Sequence, residues 1–164
     1  MFIEKLLGEH RDSGKENSLC RELRKLPEEQ RLAEIMNYLH NSVQLNDCSR
    51  TDLALMLANR SIDNPEMFQK LLQVSMEIAD ASTMQFWIKW ICPRVGMDRF
   101  LHFLIQNADT HPKEIDYAVY WLRQKFLKRF ASKNSMILFE QLVNLNSCDM
   151  HGRELCAQAD YELF

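Results

Sequence analysis

Cys148, His151 and Cys156 lie close enough in sequence to offer sulfur and imidazole donors to a soft metal ion. A structural zinc site takes four ligands, and the neighbouring Asp149, Glu154 and Asp160 are poor substitutes, so no metal is expected there. The stretch GEHRDSGKE, Gly8 to Glu16, has the outline of a phosphate loop. Its glycines are one residue too far apart, Glu16 stands where a magnesium-binding hydroxyl belongs, and no strand precedes it. Glu77 and Asp80 share one helical face, but no Glu-x-x-His pair accompanies them to complete a di-iron site. Cys92 and His102 could form a nucleophile pair only by meeting in space, and Cys92 closes an apolar run, where a thiol acts as a small hydrophobe. Asn59-Arg60-Ser61 fits a glycosylation sequon without a secretory signal to give it meaning. These readings favour a non-enzymatic protein over an enzyme, with no cofactor.

Recognition chemistry is better represented. The stretch MQFWIKWICPRVGMDRFLHFL, Met84 to Leu104, concentrates Phe86, Trp87, Trp90, Phe100 and Phe103. At 100° per residue Met84, Trp87, Ile88 and Ile91 form a core stripe, leaving Phe86 and Trp90 on a flank that is either packed by a second neighbour or offered to a partner. Pro93 is expected to end this helix and Gly96 to permit a turn. The segment from Met97 to Asn107 then sets Asp98, Arg99, His102 and Gln106 opposite Met97, Phe100, Leu101, Leu104 and Ile105.

After Pro112, the residues Ile115, Val119, Leu122, Phe126 and Phe130 supply a complete apolar stripe, yet Tyr117, Tyr120 and Trp121 remain. From Tyr117 to Ser135 the chain has no acidic residue but carries Arg123, Lys125, Lys128, Arg129 and Lys133. Amphipathic aromatics beside cations are enriched at interfaces. Trp90, Tyr117, Trp121, Lys125 and Lys128 are therefore the expected partner-binding residues, with Arg123, Arg129 and Lys133 as a basic patch. The expected partner is a protein carrying an acidic or amphipathic segment. The first alternative is a nucleic acid or phosphorylated ligand on residues 123–133, and the second a small-molecule pocket or enzyme site beside Phe86 and Trp90.

The elements that must position these residues are helical. Four glycines and four prolines in 164 residues are too few for the turns of an all-β fold, whereas strong helix formers are abundant. A chain 46% hydrophobic and 26% charged, with a formal charge of −3, has an ordinary globular composition and is not a generic DNA-coating protein. Helices are expected to start around Pro27, Pro65 and Pro112, spaced by 38 and 47 residues, each followed by acidic residues and a 3.6-residue apolar period. Shorter segments precede them at Ser18–Leu23, Thr51–Arg60 and Met97–Asn107; Thr83–Cys92 and Ser135–Leu145 complete the set.

Over Ser18 to Leu145 this short-helix, tight-loop, long-helix spacing resembles HEAT and armadillo repeats. The resemblance implies a helical-hairpin solenoid, with an irregular helical bundle as the alternative within the same all-α class. Residues 1–17 read as an N-terminal extension, 18–146 as the helical domain and 147–164 as a tail. Five scattered cysteines suit reduced thiols, and the charged segment MFIEKLLGEH does not suit a signal peptide, so a cytoplasmic location is expected. Lys89, Arg94, Asp98 and Arg99 interrupt the aromatic stretch too often for a membrane span. Self-association through a cysteine or an aromatic flank stays open.

Overall fold

Proline and its flanking residues mark the helix starts as the sequence reading anticipates. In the computed structural model, which describes residues 2–7, 14–44, 48–127 and 132–145, α3 (Glu28–Gln44) begins directly after Pro27. Helices α5 (Pro65–Ile78) and α8 (Pro112–Trp121) carry proline at their first position. There its missing N–H would have had no intrahelical partner. Asn64 caps α5, its side-chain oxygen accepting the Glu66 N–H at 2.9 Å. The remaining helices are α1 (Phe2–Leu7), α2 (Gly14–Leu23), α4 (Cys48–Ser61), α6 (Met84–Val95), α7 (Met97–Gln106) and α9 (133–145). Every regular element among the described residues is helical, so the fold is all-α.

The chain divides into two units, Met1–Val95 and Gly96–Phe164. In the first, α4 packs against α2, α3 and α6, while α5 packs against α3 and α6, and α1 against α3. The stripe of α6 lies where its periodicity puts it: Met84, Trp87, Ile88 and Ile91 are all buried. They share the core with Tyr38, Leu55, Leu57 and Phe68. In the second unit the buried residues include Met97, Phe100, Leu101 and Leu104 of α7, Ile115, Ala118 and Val119 of α8, and Leu138, Phe139 and Leu142 of α9.

Three local expectations are corrected. Pro93 does not end α6; the helix runs on to Val95. Close to a helix end proline removes only one hydrogen bond, and the break comes instead at Gly96, whose φ of 89° suits glycine. Helix α2 starts at Gly14, one turn before Ser18. In α8 the apolar stripe shifts register. A π-helical turn at Leu122–Phe126 inserts the equivalent of one extra residue, so the buried position after Leu122 is Leu127, and Phe126 is only half-buried. Phe130 lies outside the described residues.

Among the described residues no helix is long and apolar enough to cross a membrane.

Candidate functional site

Trp90 reaches the surface of the first unit from the flank of α6, but its polar edge is occupied. The indole N–H donates to Asp52 of α4 at 2.6 Å, and Lys89 forms an ion pair with the same carboxylate at 3.2 Å. The Lys89 ammonium lies 4.4 Å from the Trp90 ring centre and 5.9 Å from that of Phe86. Both rings are half-buried, so the flank is neither fully core nor fully open. Two turns further along the same face of α4, the Asn59 amide donates to the Trp90 carbonyl at 2.7 Å, so this side chain also joins α4 to α6.

The second unit gathers the other expected residues on α8. Tyr120 and Trp121 meet edge to face, with ring centres 5.2 Å apart. The Lys125 ammonium sits 4.4 Å from the Trp121 ring centre, as i,i+4 neighbours on a helix can. Tyr117 and Trp121 are half-buried, whereas Tyr120 is 56% exposed. Arg123 and Lys133 are exposed, while Lys128 and Arg129 lie outside the described residues.

Sequence reasoning does not single out α9. Its buried face is Ser135, Leu138, Phe139 and Leu142, yet Ile137 is exposed on the opposite face and Met136 and Leu145 on the two flanks. With Tyr120 these are the exposed large apolar residues among those described, and all four belong to the second unit. A cleft of about 280 Å3 opens between the π turn and α9, lined by Arg123, Phe139, Glu140, Val143 and Asn144. Ile137, Glu140 and Asn144 share one helical stripe (i, i+3, i+7), so an apolar side chain stands in line with the cleft. The available signal was an apolar Met136-Ile137 pair extending beyond the core stripe of a short helix.

Asp98 fixes the start of α9. Its carboxylate accepts hydrogen bonds from the Ser135 hydroxyl, from Asn134 at 2.7 Å and from Ser132 at 3.5 Å. The bonds from Ser135 and Asn134 hold its carboxyl below the usual aspartate range.

The catalytic and metal candidates fare differently. Burial pushes the Cys92 thiol up to about 12, so it stays protonated at neutral pH. His102 is exposed, its Nδ1 2.9 Å from the Asp98 carbonyl oxygen. Asp80 lies beyond the end of α5 and organises the turn into α6. Partial burial opposes its ionisation, yet N–H and O–H bonds from Ser82 and Thr83 hold its carboxyl below the usual range. Among the described residues no group of three or more His, Cys, Asp or Glu could hold a metal ion, and the Cys148–His151–Cys156 cluster lies outside them. Phe86 and Trp90 do not line the cleft beside α9.

No family model, curated protein or solved structure matches the chain.

Proposed function

We propose that this chain is a non-enzymatic interaction module whose Gly96–Phe164 unit docks an acidic, amphipathic segment of a partner protein. The observation that carries the reading is the segregation of exposed large apolar side chains, among the described residues, to Tyr120 of α8 and Met136, Ile137 and Leu145 of α9. Arg123 and Lys125 of the π turn and Lys133 of α9 accompany them, and no acidic residue intervenes in sequence between Tyr117 and Ser135. An apolar stripe on the partner would cover Ile137 and Tyr120, and its carboxylates would meet the cations. This follows the usual division of an interface into an apolar centre and a charged rim. Trp121 supplies a broad half-buried surface beside that centre, and Trp90 is left outside the docking surface because Asp52 already engages its N–H.

The HEAT-like hairpin stack remains part of the proposal, supported by the spacing of the proline-opened helices. A cytoplasmic setting fits the free thiols of Cys20 and Cys48.

The experiment is selection from a displayed library of helical peptides, followed by affinity measurement against the wild type and Ile137→Asp. Selected peptides should combine Asp or Glu with apolar residues at i, i+3 or i+4, and i+7, and Ile137→Asp should weaken them at least about tenfold without loss of helicity. Failure to enrich that pattern, or affinity unchanged in Ile137→Asp, would reject the docking surface. Saturable binding of single-stranded nucleic acid with steep salt dependence would move the second unit to the nucleic-acid alternative.

A further inference from the structure

The C-terminal end of α4 is met by arginines from α3, from α6 and from the turn that follows α2. Arg24, the residue that follows α2, donates to the Arg60 carbonyl at 2.5 Å, Arg31 of α3 to the Ser61 carbonyl, and Arg94 of α6 to the Ile62 carbonyl at 2.7 Å. These are carbonyls that a helix end leaves without intrahelical partners, so the arginines act partly as caps. Capping does not exhaust them. A guanidinium has five N–H donors, and Arg24 and Arg94 each direct one terminal nitrogen to the carbonyl named. Arg21 is exposed in the last turn of α2.

Arg21, Arg24, Arg60 and Arg94 together line a cleft of about 520 Å3, with Asn17 and Asn59 between them. The opposing charge is limited. Asp63 is the one carboxylate in the lining; it lies 3.9 Å from Arg94, and Glu16 lies 3.9 Å from Arg60 at the margin. The ends of α2, α4 and α6 contribute about half a negative charge each. With Glu16 counted beside Asp63 and those helix ends, the four full positive charges are left about half a charge in excess, in a chain whose formal charge is −3. Packing alone does not call for such a concentration of like charge, which a bound anion would relieve.

We propose that this cleft binds a small, non-aromatic phosphate monoester. Its phosphate would lie between Arg21 and Arg60, and its hydroxyl groups would face Asn17 and Asn59. Guanidinium forks match the paired oxygens of a phosphate dianion. The volume falls in the range of small-ligand sites, roughly 300–1,000 Å3. None of the lining residues is aromatic, so the cleft offers no surface on which a nucleobase would stack. Asn59 spends its amide N–H on Trp90, which leaves its carbonyl oxygen as an acceptor for a ligand hydroxyl.

The test is isothermal titration of the full chain with glycerol phosphate, inorganic phosphate, adenosine monophosphate and sodium chloride at constant ionic strength. Glycerol phosphate and inorganic phosphate should bind saturably at one site, more tightly as pH rises through the second phosphate ionisation near 6, while chloride should not compete. Arg21→Gln and Arg60→Gln spare the three capping arginines and should each weaken binding at least about tenfold. Lys125→Glu, in the second unit, should leave it unchanged. Absence of saturable phosphate binding, or binding unchanged in both arginine variants, would overturn the site. Tighter binding of adenosine monophosphate than of glycerol phosphate would overturn the ligand class.

Discussion

Each unit places a lysine ammonium 4.4 Å from a tryptophan ring centre, Lys89 at Trp90 and Lys125 at Trp121. The pairs read alike in sequence, a tryptophan and a cation on one helix, but their settings differ. Asp52 reaches from a neighbouring helix to take both the Trp90 N–H and the Lys89 ammonium, making that pair a tertiary fastening of α6 to α4. Trp121 and Lys125 are joined within the α8 segment, at a spacing that brings helix side chains together, and the adjoining Tyr120 stands mostly in solvent. Aromatic-plus-cation composition therefore does not by itself mark a recognition surface. What separates the two regions is the presence of exposed apolar neighbours.

Substitutions can test this contrast. The largest effect is expected from Trp87→Ala in the first unit, because the ring is fully buried and its removal leaves a cavity; a loss of about 3–5 kcal/mol is expected in denaturant titration. A loss under about 1 kcal/mol would mean that α6 is not the packed helix described. Next, Asp52→Ala should reduce stability by about 1–2 kcal/mol, a value discounted for the partial exposure of the ion pair, and should move the Trp90 indole N–H resonance. An unmoved resonance would break the distinction between the two tryptophans.

A smaller, local effect is expected from acid in the second unit. The folded pKa of Asp98 lies below its ordinary value, so the contribution of this carboxylate is complete above the ordinary aspartate range and disappears as pH falls through the folded value. Amide exchange at Ser135 should accelerate over that acid range, and Asp98→Ala should remove the pH step. A step lying above the ordinary range would contradict the sign. Least of all, Tyr120→Ala should change stability by no more than about 0.5 kcal/mol, since the ring is 56% exposed. A loss comparable with that of Trp87→Ala would assign Tyr120 to the core and remove it from the docking surface.

Local rules carry far in this chain. Pro27, Pro65 and Pro112 mark three helix starts because proline at a first helical turn forfeits nothing, and the Met84 stripe follows from 3.6-residue periodicity alone. The limits of those rules are equally physical. A fixed 100° rotation assigns Phe126 to the core, but the π turn passes that place to Leu127. The exposure of Ile137 is hard to foresee because Leu138 and Phe139, its sequence neighbours, are buried and equally apolar. The arginine cleft draws on Arg21, Arg60 and Arg94, which are separated by more than 30 residues at each step and brought together only by the packing of α4 against α2 and α6. One clue was present: each of these arginines occupies the last turn of its helix.

The π turn at Leu122–Phe126 also bears on how the gene could change. A turn of this kind is what one added codon leaves in a helix whose buried side must keep its phase. Loss of a codon from this segment would bring Leu127 to the place four residues after Leu122, where an ordinary α-helix would bury it. Here the length of the chain and the phase of its core are separable, so the second unit could absorb a single-residue deletion that would rotate a regular helix out of register.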